Sequence, residues 1–521
     1  MIRNPILPGF HPDPSICRVG DDFYLASSTF EWFPGVPIHH SRDLKHWRLI
    51  GHALTRCSQL ELHGVSDSGG VWAPSMSHAD GKFWLIYTNL RNTGMGRPFK
   101  DIKIYLTTAE RAEGPWSDPV ELDSIGFDPS LFHDDDGRKW LVNMEWDFRK
   151  GRYRFAGIVI QEFDVSAGKL VGERKKILHK ENILTEGPNL YKHDGWYYLM
   201  LAEGGTGWNH GISAARSRSL LGPYELDPQA SVMTTRDDYG HPLQKSGHGE
   251  LVETPAGEWF LAHLASRPVG FERRCTLGRE TCLQRVKWVG GWLRLEQGGH
   301  SPSVEIEEPA GLEPHPWPAV AERDDFDGKA LDPSWQSLRV PVDESWVDLV
   351  SRPGWLRLRG RESMHSLFDQ SLLAKRLTCH RATAMTVLEF EPDHYTQMAG
   401  LTCFYNSANF YCLRVTHDES RGKVLGITLT DKGSYDELGD SEINGWKQVH
   451  LKAEIDRDTL RFSASPDGRD WRQVGPVMDF TTLSDEHAAG FTGAMVGIAV
   501  QDLADREMAA DFDFFELKIQ G

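Results

Sequence analysis

Asp128-Pro129-Ser130-Leu131-Phe132-His133-Asp134-Asp135-Asp136-Gly137-Arg138-Lys139-Trp140-Leu141-Val142 reads as a short strand, a Gly-containing turn and a second strand, the makings of a β-hairpin. The unit recurs on either side. Upstream lie Asp13-Pro14-Ser15-Ile16 and Ala73-Pro74-Ser75-Met76; downstream lie Gly187-Pro188-Asn189-Leu190 and a degenerate His248-Gly249-Glu250-Leu251. Their second residues fall at 14, 74, 129, 188 and 249, so the steps are 60, 55, 59 and 61. A turn and an apolar strand follow each: Phe23-Tyr24-Leu25, Phe83-Trp84-Leu85-Ile86-Tyr87, Trp196-Tyr197-Tyr198-Leu199 and Trp259-Phe260-Leu261 complete the set. A third element, turn residues with an aromatic ring ahead of another strand, recurs at Asp43-Leu44-Lys45-His46-Trp47, Gly114-Pro115-Trp116 and Gly222-Pro223-Tyr224. Each unit thus holds about four strands, and the 3.6-residue period of a long amphipathic helix is missing. Five such sheets set radially make a five-bladed β-propeller, which protects its strand edges by closing the ring; a linear β-solenoid uses much shorter repeats.

The repeat stops near residue 300. Residues 301–318 hold five prolines and four glutamates, a boundary composition. Alternating strands resume after Arg323, among them Ala384-Met385-Thr386-Val387-Leu388 and Phe410-Tyr411-Cys412-Leu413-Arg414-Val415, and suggest one β-sandwich. The expected organisation is an all-β chain: a propeller over 1–303, a Pro/Glu-rich linker over 304–322, and a sandwich over 323–521.

Of the 521 residues, 57 are Lys or Arg and 75 are Asp or Glu, a net charge of −18 that argues against nucleic acid, whose affinity rests on neutralised phosphates. No apolar run reaches the roughly 18 residues of a membrane-spanning helix. Met1-Ile2-Arg3-Asn4-Pro5 lacks the apolar core of a signal peptide, and the seven cysteines never form a CxxC pair; both features fit a cytoplasmic location with reduced thiols. His39-His40 and Asp134-Asp135-Asp136 read as solvated turns.

The first strand of each propeller blade lines the central channel, so the residues opening the repeats converge there. These are Asp13, Trp72 beside Ala73, Asp128, Glu186 beside Gly187, and His248. Three carboxylates, an indole and an imidazole around one opening are the inventory of a glycoside-cleaving pocket: an acid, a base, a charge to tune them, and a flat apolar wall for a sugar ring. Asp13 and Glu186 belong to the first and fourth blades, which are not neighbours in a ring of five, so they can face each other across the channel. A catalytically silent sugar-binding propeller is the competing reading, and the intact carboxylates count against it.

The strings Asn4-Pro5-Ile6-Leu7-Pro8-Gly9-Phe10-His11-Pro12-Asp13-Pro14-Ser15, Gly70-Val71-Trp72-Ala73-Pro74, Phe127-Asp128-Pro129-Ser130, Thr185-Glu186-Gly187-Pro188, Lys245-Ser246-Gly247-His248-Gly249 and Leu277-Gly278-Arg279-Glu280-Thr281 closely resemble the β-xylosidases and α-L-arabinofuranosidases of glycoside hydrolase family 43. The resemblance implies a five-bladed propeller with a concanavalin- or jelly-roll-like sandwich that helps close the active site. It implies an inverting mechanism with Asp13 as general base, Glu186 as general acid and Asp128 tuning the acid. Trp72 would wall the sugar site, with Phe30, Trp146 and His248 near it, and Arg279 would bind hydroxyls. The string Phe491-Thr492-Gly493-Ala494-Met495 departs from the pattern by placing Met495 where a pocket-facing Phe is expected, and Asn189 stands where His is usual. No cofactor is required on this resemblance, although a calcium ion near His248 is compatible with it, as is a homo-oligomer, dimer or tetramer. The expected activity is exo-acting release of D-xylose from the non-reducing end of β-1,4-xylo-oligosaccharides, with α-L-arabinofuranosidase action as side or main activity. The Asn-Asp-Pro opening of β-fructosidases is absent.

Overall fold

The computed structural model of the chain describes residues 1–92 and 98–520. Five antiparallel sheets, each of four strands in sequence order, surround one axis; the fourth carries an extra strand, Met233–Thr234, beside its third. The innermost strands are Ser15–Val19, Gly70–Ala79, Gly126–His133, Thr185–His193 and Gln244–Glu253, each beginning at or beside the repeated motif. We number these blades I to V. In blades II to V the register slips at the motif, between Trp72 and Ser75, Phe127 and Ser130, Glu186 and Asn189, and Gln244 and Gly249. Proline cannot donate to a ladder, so Pro74, Pro129 and Pro188 sit where the pairing is already broken, and Pro14 lies just before its strand begins.

The strand Lys82–Leu90 shows why these segments read as continuous apolar runs. Side chains alternate across a strand, so Phe83, Leu85 and Tyr87 pack toward blade I while Trp84 and Ile86 pack toward blade III. Each interior sheet is buried on both faces, and the sheets stack around the ring. Blade V meets blade I through Ile16, Phe23, Leu25, Phe260 and Leu283. The N-terminal segment fastens that closure. Ile2–Arg3 pairs with Glu305–Ile306, Leu7 bridges Thr281, and the Asn4 amide both donates to the Leu283 carbonyl and accepts from its N–H, each at 2.8 Å.

Residues 323–520 form a sandwich of two sheets, to which they give eight and seven strands, around one apolar core. One of the two sheets is completed by the propeller: Trp32–Phe33, on a blade I loop, pairs antiparallel with Gln336–Leu338 through Phe33 opposite Ser337 and Trp32 opposite Leu338. Trp32 is wholly buried and meets Phe404 edge to face at 5.9 Å. Arg339 donates to the Val65 carbonyl and pairs with Asp67, both at 2.6 Å, and Arg376 donates to the Phe10 carbonyl at 2.7 Å.

Two sequence readings need correction. His39 and His40 lie not in a solvated turn but within the buried strand Gly35–Ser41, where His40 Nε2 reaches Asp22 at 2.7 Å. Met495 does not face the pocket. It opens the strand Met495–Asp502, already held in the ladder opposite Phe404 and Arg376, and packs fully buried among Phe10, Trp32, Phe404 and Phe410. The described residues contain no helix long and apolar enough to cross a membrane.

Candidate active site

The residue before the motif proline, or its counterpart in blade V, adopts left-handed backbone in four of five blades: Asp13 (φ 53°), Asp128 (φ 52°), Gly187 (φ 56°) and His248 (φ 36°). Non-glycine residues seldom hold this conformation, and where they do the surroundings must enforce it. Blade IV is offset by one residue: glycine takes the strained place and Glu186 stands just before it. Gly187 has a second reason to lack a side chain, since a Cβ there would lie 2.9 Å from His248 Nε2.

These turns open into a cavity of about 290 Å³. Asp13, Lys100, Asp128, Glu186, Thr206, His248 and Arg279 supply its polar lining; Phe30, Trp72, Phe127, Trp146, Phe155 and Phe491 supply its aromatic one. The structure therefore brings together every predicted site residue except Met495. Below the carboxylates the channel narrows to a crevice of about 10 Å³ ringed by Pro14, Pro74, Pro129 and Pro188, with Asn189 and Glu250. That space holds about one water molecule. The pocket is thus blind to a sugar chain, and its floor is built from the repeat itself.

The three carboxylates are buried alike but differ electrically. Asp13 accepts from Arg279 Nη1 at 2.9 Å and from Ser28 Oγ at 2.6 Å, and His248 Nδ1 stands 3.5 Å away. Burial opposes its ionisation, yet Arg279, His248 and the Ser28 hydroxyl outweigh burial and hold the carboxyl below its ordinary range. Glu186 goes the other way: burial, then the charge of Asp13, raise it to about 7 against the pull of Arg279 and Lys100. Asp128 is pushed well up by burial, Glu186 and Asp13, against a 3.2 Å bond that its Oδ2 accepts from the Gly187 N–H and the charge of Arg279. One ionised carboxylate and a neighbour that stays protonated near neutrality are the two halves of acid–base catalysis.

The walls are also fixed by hydrogen bonds. Trp72 Nε1 donates to the Ser68 carbonyl at 2.9 Å and Trp146 Nε1 to the Pro98 carbonyl at 2.8 Å. The Lys100 ammonium, half-buried, sits 5.1 Å from both indole rings, where the negative ring faces offset part of its lost hydration. Phe491 comes from the sandwich, meeting Trp72 edge to face at 5.7 Å and Phe30 at 6.1 Å. Its carbonyl accepts from Arg279 Nη2 at 3.1 Å. Arg279 therefore holds the base with one nitrogen and the second domain with the other. A calcium cage asks for about six to eight oxygen ligands. Among the described residues no group of three or more His, Cys, Asp or Glu is placed to hold an ion, and His248 Nδ1 lies 3.5 Å from Asp13.

Lys100, Phe127, Phe155, Leu184 and Phe491 line the pocket without having been singled out as site residues. Phe127 adjoins a repeat motif and was within reach of the repeat alignment. The others lie outside it, and Phe491 follows the last blade by some two hundred residues.

A β-propeller with a blind, aromatic-walled pocket and carboxylates of opposed protonation defines a glycosidase-type enzyme. Residues 2–293 match the model of glycosyl hydrolases family 43, and residues 323–518 match that of the beta xylosidase C-terminal concanavalin A-like domain. The chain belongs to glycosyl hydrolases family 43. It superimposes over 100% of both chains, with a TM-score of 0.97 and 52% identity, on the crystal structure of a xylan beta-1,4-xylosidase from Bacillus halodurans. It is 45% identical over 527 residues to the xylosidase/arabinosidase 43B of Humicola insolens, covering 99% of this chain and 97% of that one. It is 43% identical over 534 residues to a xylan 1,3-beta-xylosidase of a Vibrio species, covering 99% and 98%.

Proposed function

We propose that the chain is an inverting, exo-acting β-xylosidase that releases D-xylose from the non-reducing end of β-1,4-xylo-oligosaccharides. The observation that carries this reading is the opposed protonation of Asp13 and Glu186 in an aromatic-walled pocket whose channel narrows to a one-water crevice beneath them. Asp13, kept ionised by Arg279, takes a proton from a water molecule, whose oxygen attacks the anomeric carbon from the face opposite the leaving group. Glu186 gives its proton to the glycosidic oxygen as the C–O bond breaks, and the released sugar has the inverted anomeric configuration. Asp128 raises no competing base while it stays protonated, and its bond from the Gly187 N–H fixes it beside the acid. Trp72, Phe30 and Phe491 offer flat apolar surface to the ring. The name of the 52%-identical structural relative favours the 1,4 linkage over the 1,3 linkage of the Vibrio relative. The name of the Humicola relative favours a second activity on α-L-arabinofuranosides.

A proton NMR time course on xylobiose tests the reading. Early α-xylose, before mutarotation, is expected; early β-xylose overturns inversion, and no turnover moves arabinofuranosides to the front. The pH profile follows from the two carboxyls. Activity needs Glu186 protonated, so kcat/KM falls as pH rises through about 7. It also needs Asp13 ionised, so the acid limb lies below the ordinary aspartate range. Because Glu186 and Asp128 interact, the alkaline limb belongs to the pair. An alkaline limb at pH 9 or above would contradict the assignment of the acid.

A further inference from the structure

Ser68 ties the two walls of the pocket together. It is buried, in left-handed backbone (φ 59°), on the approach to blade II. Its N–H donates to Glu31 Oε2 at 3.1 Å, its carbonyl accepts from Trp72 Nε1 at 2.9 Å, and its hydroxyl oxygen accepts from the Phe491 N–H at 3.0 Å. Trp72 belongs to the propeller and Phe491 to the sandwich, so this single residue bonds to both aromatic walls from opposite domains. On its far side the Phe491 carbonyl is taken by Arg279, the partner of Asp13. The peptide units around residue 491 are thus clamped between Ser68 and the arginine of the base.

The neighbouring residues are arranged for that clamp. A Cβ on Gly490 would lie 2.7 Å from the Tyr405 hydroxyl and 3.0 Å from Ser68 Oγ, so only glycine lets the loop approach this closely. Tyr405 in turn donates to Asp485 at 2.9 Å. Lys245 of blade V pairs with both Asp485 and Glu486. The loop carrying Phe491 is therefore fastened to blade V at its start and to Ser68 at its tip.

We infer that Ser68 is a positioning residue: its hydroxyl seats the Phe491 wall against Trp72 and so sets how tightly the pocket holds its sugar. The inference rests on the glycosidase reading above. A wall displaced from its seat weakens substrate and transition state alike, an effect that raises KM and leaves kcat nearly unchanged. Loss of one such hydrogen bond is worth roughly three- to tenfold.

The test is a double-mutant cycle on the full chain with Ser68→Ala, Phe491→Ala and the pair, using xylobiose. Ser68→Ala is expected to raise KM roughly three- to tenfold, keep kcat within about twofold, and leave the pH profile in place. In the Phe491→Ala background the same change should alter KM less than about twofold, because no wall is left to seat. An unchanged KM in Ser68→Ala, or the same factor in both backgrounds, overturns the inference. Ser68→Gly removes the hydroxyl without a penalty for left-handed backbone, and serves equally should the alanine variant not fold. Wild-type turnover tests the activity and the ratio between variants tests Ser68. A wild type idle on xylobiose but active on an aryl arabinofuranoside changes only the substrate, and the same ratios are then read with that glycoside.

Discussion

Replacement of Asp13 by alanine is expected to lower kcat by roughly 10²–10⁴-fold, on nitrophenyl glycosides and natural oligosaccharides alike. Water is a poor nucleophile, and a better leaving group does nothing to deprotonate it. Burial still raises Glu186 and Asp128 in the variant, so neither is a ready base in its place. The variant carries a second cost. Arg279 is only 2% exposed and loses its carboxylate partner. An unpaired buried charge costs about 3–5 kcal/mol, partly relieved here by the Phe491 carbonyl that Arg279 also holds. Thermal melts beside the kinetics separate the two effects. A variant that stays folded and keeps more than about a hundredth of the wild-type rate would show that another group activates the water.

Glu186→Ala is expected to divide substrates by leaving group. With xylobiose the departing oxygen needs a proton as its bond breaks, and the loss should again be roughly 10²–10⁴-fold. Nitrophenolate leaves readily as an anion, so nitrophenyl xyloside should be largely spared, and its alkaline limb should shift away from pH 7 because one member of the interacting pair is gone. Equal losses on both substrates would assign Glu186 to binding or structure instead of proton donation.

The catalytic floor was legible in the sequence because it is periodic. Asp13, Asp128 and the Glu186-Gly187 pair occupy one place in a repeat, and a ring turns a shared place in a repeat into a shared place in space. Trp72 and His248 were found by the same logic. Phe491 and Lys100 were not, since one is delivered by another domain and the other by a loop between strands, and neither leaves a period to detect. The Met495 error arose in the same region. A strand begins there, and a residue fixed in a ladder cannot reach across to a cavity that the preceding loop residue already fills. The two-residue strand Trp32–Phe33 also escaped, being too short to alternate and followed at once by Pro34 and Gly35.

The exchange between the domains has a consequence for biosynthesis. Trp32–Phe33 waits for a strand made some three hundred residues later, and the pocket that Asp13 begins is finished only by Phe491. A ribosome that has delivered all five blades has delivered the acid and the base, but neither the second anchor of Arg279 nor the last wall. Messages cut short before Phe491 therefore yield chains without a complete pocket, and full activity certifies that translation passed that residue.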